Sequence, residues 1–265
     1  MRRREFLRTA SAAVAATAAG PIVGWAASEL ELHNPGVLTS ATEGTYPPFS
    51  MRKPNGELDG LEMRIMGEIC NRLELEYQPV IVKWDSMLVG LQANHFDIVG
   101  NAMGITAERQ KAVTFCDGWI ETGARVVVHK DSDYTSPDEL QGKDIGAIAA
   151  STFIPIVEQL GGNLKAYKAD VDGMQDLVNG NIEAVILESI AANYAITKSK
   201  LPLRSLPGLI DPAQLGWAVK MGKPNLVRAI NATRAEMVAE GTVAELFDDI
   251  IGYDPSPSDP IRSIL

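Results

Sequence analysis

From residue 37 to residue 251 short apolar runs alternate with segments of helical periodicity, and no other feature of the chain constrains its fold as tightly. Such alternation builds parallel sheets covered by helices. Strands are expected over residues 37–42, 77–84, 96–99, 113–115 and 125–128. Leu61, Ile65, Ile69 and Leu73 share one face of a helix over residues 61–73. Further helices are expected over residues 86–94 and 107–112. Ser136-Pro137-Asp138-Glu139 has the form of a capping box with proline at the first helical position. The alternation then restarts, with strands over residues 144–149, 164–168, 183–187 and 215–219. Helices over residues 152–160, 172–178, 190–198, 225–239 and 243–251 complete the pattern, the last capped by Thr242 and Glu245.

One stretch echoes another. Leu88, Leu91, Phe96, Asp97 and Val99 recur in spacing as Met174, Leu177, Ile182, Glu183 and Val185. Coincidence between common βα units is one reading; two similar lobes facing each other is the other. In open α/β sheets ligands bind beyond the carboxyl ends of the strands. On the two-lobe reading, residues 100–104 and Glu188-Ser189 point into one cleft.

The N-terminus reads as an address. Arg2, Arg3 and Arg4 precede a weakly apolar, alanine-rich stretch and a small-residue site ending at Ala26. Arg3-Arg4-Glu5-Phe6-Leu7-Arg8 resembles the twin-arginine export signal of bacteria. Residues 1–26 are therefore expected to be a signal peptide. Their removal takes four arginines and Glu5, leaving 20 basic against 33 acidic side chains. That balance argues against nucleic acid as a partner, because such a partner needs a basic face. His33, His95, His129, Cys70 and Cys116 fall into no metal-ligand spacing. An exported chain permits a Cys70–Cys116 bridge; two buried free thiols are the alternative.

A set of short motifs carries a resemblance. They are Thr45-Tyr46-Pro47-Pro48-Phe49; Asp59-Gly60-Leu61-Glu62; Phe96-Asp97-Ile98-Val99 through Ile105-Thr106-Ala107-Glu108-Arg109; Asp138-Glu139-Leu140-Gln141-Gly142-Lys143; Ala150-Ser151-Thr152; and Glu183-Ala184-Val185-Ile186. In their order and spacing the chain, from about Gly36 to Gly252, resembles the periplasmic amino-acid-binding proteins. These are the family 3 solute-binding components of polar amino-acid ABC transporters. The resemblance implies an α/β, two-lobed periplasmic-binding-protein fold whose lobes are joined by a two-strand hinge. Residues 36–126 and 218–265 would form lobe 1 and residues 127–217 lobe 2, with crossings near residues 125–130 and 215–220. It implies a periplasmic monomer that captures an amino-acid-like ligand and delivers it to a membrane permease, with no catalytic residue, cofactor or metal.

The same resemblance places the ligand contacts. Arg109 would clamp the ligand carboxylate with two parallel hydrogen bonds. Ser151 and Thr152, at the start of the expected 152–160 helix, would offer a second grip. Tyr46 and Trp84 would form aromatic walls, with Phe49 in the core and Trp217 in the hinge or core. Glu188 stands where the family usually has aspartate for the α-ammonium, and Gly104 where it commonly has a hydroxyl, leaving the Ala102 carbonyl beside it. Glu43 would lie near the ligand side chain. The competing function is an exported dehydratase of the cyclohexadienyl or arogenate type on the same scaffold, with Glu188 as general acid. A sensing or cell-wall module is a third, and no kinase or lytic segment follows Gly252. Residues 253–265, rich in Pro and Ser, read as a loose end.

Overall fold

The structure is a computed structural model that describes residues 27–265, so the expected signal peptide over residues 1–26 lies outside the described residues. The chain opens with β1 (Val37–Thr42), the small ribbon β2 (Thr45–Tyr46), β3 (Ser50–Arg52) and β4 (Leu58–Asp59), then α1 (Leu61–Arg72) and β5 (Glu76–Ile81). Next come α2 (Met87–Gln92), β6 (Ile98–Gly104), α3 (Ala107–Gln110), β7 (Val113–Phe115) and the long strand β8 (Ile120–His129). The second alternation runs β9 (Asp144–Ile148), α4 (Ile154–Gln159), β10 (Asn163–Tyr167), α5 (Asp170–Val178), β11 (Ala184–Glu188), α6 (Ser189–Thr197) and β12 (Leu203–Ser205). β13 (Ile210–Lys220), α7 (Pro224–Ala239) and α8 (Thr242–Ile251) close it.

The strand order β10-β9-β11-β8-β13-β6-β1-β5 divides at its middle. β5, β1 and β6 are mutually parallel, as are β10, β9 and β11. β8 and β13 run antiparallel and join the two groups. β8 pairs with β13 over Ile120–Ala124 and with β11 over Ala124–Val128. β13 pairs with β8 from Ile210 to Leu215 and with β6 from Leu215 to Val219. The strands thus exchange partners at Ala124 and Leu215, the early edge of the expected crossings. Both are longer than the apolar runs 125–128 and 215–219 suggested. Glu121, Thr122 and Gly123 on one strand and Asp211 to Gln214 on the other break the hydrophobic pattern, yet the strands' backbones pair with each other. Gly123 is needed there, because a Cβ would lie 2.7 Å from the Leu209 side chain.

Each group of parallel strands is sandwiched. Leu38, Ile65, Ile69, Leu226 and Phe247 pack on one side of the first, Met87, Leu91, Phe96 and Val99 on the other. Ile145, Ile156 and Ile186 lie on one side of the second, and Met174, Leu177 and Val185 on the other. Each fully buried aliphatic side chain contributes about 1.5–3 kcal/mol. Trp119, Trp217 and Phe247 stack beneath the crossing strands, with centroids 4.8 Å apart for the tryptophan pair and 5.9 Å for Trp119 and Phe247. Phe49 meets Trp119 edge-on and is fully buried, a core residue.

Four local expectations are corrected. β5 ends at Ile81, and Trp84 lies instead in a 3₁₀ turn over Trp84–Ser86. α4 begins at Ile154, because Ala150 adopts φ 59° and the Ser151 hydroxyl accepts the Phe153 N–H at 3.2 Å while donating to the Ile148 carbonyl at 2.7 Å. Ser151 and Thr152 therefore occupy a turn before the helix. α8 is preceded by Gly241 at φ 86°, a left-handed residue that reverses the chain after α7, so Thr242 is a helical residue and not its cap. The tail is not loose. Gly118 N–H donates to the Ile261 carbonyl at 2.9 Å and Glu121 N–H to the Pro255 carbonyl at 2.8 Å. Asp117 accepts from Ser263 N–H at 2.9 Å and pairs with Arg262 at 2.8 Å, while Gln214 donates to the Asp259 carbonyl at 2.9 Å and accepts from Ile261 N–H at 2.7 Å. Residues 255–263 form a strap across the start of β8 and the middle of β13. Cys70 and Cys116 are separate buried thiols, each pushed by burial up to about 12.

Candidate functional site

The carboxyl ends of β1, β6, β9, β10 and β11 converge on one cleft that opens to solvent. Every sequence-predicted site residue lines it: Glu43, Tyr46 and Trp84, then Ala102, Gly104 and Arg109, then Ser151, Thr152 and Glu188. Asn101, inside the 100–104 strand end expected there, also lines it, as do Thr122, Phe153, Asp170 and Asp211, which were not anticipated.

Arg109 sits on the single turn α3, which Thr106 caps by accepting its N–H at 3.2 Å. Its Nη1 donates to the Gly104 carbonyl at 2.9 Å, and its guanidinium carbon lies 5.3 Å from the Trp84 ring centroid. The 3₁₀ turn that ends β5 early is what presents the Trp84 ring to it. Among the described residues Arg109 has no carboxylate partner. Burial holds its guanidinium below the usual arginine range. A half-buried cation without a counter-ion favours an incoming anion, and the planar fork favours a carboxylate. A Cβ at Gly104 would lie 3.5 Å from Nη1, an ordinary contact, so the position has room for a side chain.

The rest of the charged lining is acidic. Glu43, just past β1, exchanges hydrogen bonds with Asn101: its N–H donates at 3.3 Å and its carboxylate accepts at 3.2 Å. Burial pushes its carboxyl up to about 7. Glu188 ends β11 and begins α6. Its carboxylate accepts Ile190 N–H at 2.9 Å, Ala191 N–H at 2.8 Å and the hydroxyls of Ser189 and Thr122. It is thus a helix cap as well as a cleft residue, and burial raises its carboxyl. Asp170 opens α5, and burial, then Glu43 and Glu188, push it up to about 8. The Tyr46 and Phe49 rings meet tilted, with centroids 4.8 Å apart, and the Tyr46 phenol is raised by burial and by Glu188, Asp170 and Glu43. Glu43 and Glu188 act on Asp170 and on the Tyr46 phenol, whereas burial alone shifts Arg109. The cleft is bipolar, suited to a small molecule with separated negative and positive groups. Among the described residues no cluster of His, Cys, Asp or Glu could hold a metal ion, and no helix is long and apolar enough to cross a membrane.

Residues 38–253 match the family model of bacterial extracellular solute-binding proteins, family 3. The chain belongs to this family. It is 30% identical over 223 residues to the L-cystine-binding protein TcyJ of Escherichia coli, covering 83% of this chain and 84% of the relative. It is 26% identical over 224 residues to the L-arginine-binding protein of Pseudomonas aeruginosa, covering 80% and 86%. A variant of the arginine-binding protein ArgBP of T. maritima superposes with TM-score 0.77 at 28% identity, covering 81% of this chain and 95% of that one. The ancestral amino-acid-binding protein AncCDT-1, a precursor of cyclohexadienyl dehydratase, does so with TM-score 0.77 at 25% identity, covering 82% and 96%. The fold is the two-lobed periplasmic-binding-protein fold. The protein is an extracytoplasmic solute-binding protein and not an enzyme, in keeping with a family and curated relatives that are binding proteins.

Proposed function

We propose that the protein captures an amino acid or amino-acid-like ligand in the periplasm and delivers it to an ABC transporter permease. The observation that carries this is Arg109, a half-buried guanidinium without a carboxylate partner in a cleft that also holds four carboxyl groups. The cystine- and arginine-binding relatives support the ligand class. In this reading Arg109 clamps the ligand carboxylate and the Ser151–Thr152 turn adds a second grip. Glu188 and the Ala102 carbonyl receive the α-ammonium, Gly104 leaves space beside it, and Tyr46 and Trp84 flank the ligand body. Glu43 faces the ligand side chain. Lobe 1 comprises residues 36–126 and 218–265 and lobe 2 residues 127–217, closing about β8 and β13. The protein acts as a monomer, exported through the twin-arginine pathway by residues 1–26.

Mass spectrometry of material released by denaturing the purified protein identifies the ligand, and calorimetry with that compound measures its affinity. Arg109→Ala is expected to weaken binding by about 3–5 kcal/mol, because the ligand carboxylate is left buried and unpaired. That is roughly 150- to 5,000-fold in Kd. A folded Arg109→Ala protein that loses less than about tenfold would refute the clamp.

A further inference from the structure

The amino-acid reading leaves two carboxyls of the cleft unused, Asp170 and Asp211, and of these Asp211 is exposed and Asp170 buried. Asp170 is 7% exposed, and its Oδ1 is buried with no hydrogen-bond partner. It does not serve its own helix either: the cap position belongs to Ala169, and no side chain caps α5. A buried polar atom without a partner costs free energy and is rare in native proteins, so its retention calls for an occupant. Glu62 also has partnerless oxygens, but it is 0% exposed and sealed in the core. Asp170 lines the cleft.

The surroundings specify the occupant. α5 packs against β2, which brings Asp170 from the second half of the chain toward Tyr46 of the first. The titratable groups that act on it are Glu43 and Glu188, and the Tyr46 phenol stands in the same field. No lysine lines the cleft, and its one arginine, Arg109, is not among the groups that act on Asp170. An amino acid with a neutral side chain brings one carboxylate, for Arg109, and one ammonium, for Glu188. It would leave Asp170 and Glu43 facing apolar matter.

We propose that Asp170 is a specificity-determining residue whose partnerless oxygen receives a second cationic nitrogen, carried by the ligand's side chain. The ligand class is then α-amino acids bearing a side-chain amine or guanidine, with Glu43 as the neighbouring carboxylate. This rests on the amino-acid reading of the same cleft. In the empty cleft a proton neutralises the raised Asp170 carboxyl; an arriving cation replaces it, and the proton leaves to solvent.

The test uses two matched pairs, L-ornithine with L-norvaline and L-arginine with L-citrulline. Each pair differs in side-chain charge at equal or similar length. Calorimetry on the wild type is expected to show the charged member binding at least about 30-fold more tightly. Asp170→Asn is expected to bring that ratio within about threefold of unity while the uncharged member changes by less than about threefold. A second readout does not depend on a variant. At pH 7 the charged members should release protons on binding to the wild type, seen as an enthalpy that varies with the buffer's ionisation heat, and the uncharged members should not. If all four compounds bind without charge preference, or if Asp170→Asn keeps the preference, this inference falls and the amino-acid reading stands. If none of the four binds, this inference falls, and the amino-acid reading is decided by the released ligand and by Arg109→Ala.

Discussion

Two carboxyl groups at the starts of neighbouring helices share the cleft and lead opposite lives. Glu188, entering α6, satisfies two helix N–H groups and two hydroxyls. Asp170, entering α5, has a buried oxygen that satisfies nothing. Both are almost fully buried, at 3% and 7% exposure, so burial does not distinguish them. The donors around them do. A carboxylate enclosed by its own donors holds the fold together; one enclosed without donors weakens it and is poised for something that arrives. Adjacent positions in one cleft can thus be structural or receptive according to a few N–H and O–H groups.

Removing each acid should separate the two roles. Glu188→Ala leaves the Ile190 and Ala191 N–H groups and the Thr122 hydroxyl without their acceptor. It is expected to destabilise the empty protein by about 2–4 kcal/mol, read as a fall in Tm of roughly 5–15 °C. A fall as small as that of an exposed substitution would erase the contrast. Asp170→Asn should leave the Tm of the empty protein at neutral pH unchanged or raise it by a few degrees, roughly 2–4 °C.

The pH dependence sharpens the contrast further. With a folded value of about 8 for Asp170 and about 7 for Glu43, the folded protein holds protons that the unfolded chain releases near pH 4. Stability should therefore fall as pH rises from about 4 to about 8 and level off above. In Asp170→Asn the upper part of that decline should flatten, leaving the part that Glu43 supplies below about 7. Thermal melts across this range check it; parallel curves for the two proteins would mean that Asp170 titrates normally.

The smallest effect is expected at Gly104. A serine Cβ would rest in ordinary contact with Arg109, so the fold should hold and affinities shift by about 1 kcal/mol or less. Unsubstituted α-amino acids should gain or hold affinity and N-substituted ones lose it. An unaltered ranking in titrations would show that the missing hydroxyl does not select the ligand.

Much of this arrangement was legible before any coordinates. Strand ends in an α/β alternation face the ligand, which brought residues 100–104 and Glu188 to one cleft, whereas the roles expected of Arg109, Ser151 and Glu188 came from the resemblance to the family. Asp170 escaped because the helix was expected to begin at residue 172, which left Asp170 outside it, in the connection from the preceding strand. Only the packing of α5 on β2, more than a hundred residues earlier in the chain, buries it. The crossing strands were underestimated for a related reason: their polar middles are held by each other and not by an apolar face. The tail carried no periodicity at all, since its partners are backbone groups and the side chains of Asp117 and Gln214.

That tail opens a practical route to watching the molecule work. Residues 255–263 rest on the two strands about which the lobes would turn, outside the cleft, and Ser258 is exposed. A dye attached at Ser258→Cys would sense the strap's surroundings without touching a captured solute. Cys70 and Cys116 are buried and almost wholly protonated at neutral pH, so the engineered thiol would take the label alone. The strap thereby turns the chain into a scaffold for a reagentless optical sensor, its signal generated at the hinge and not at the binding site.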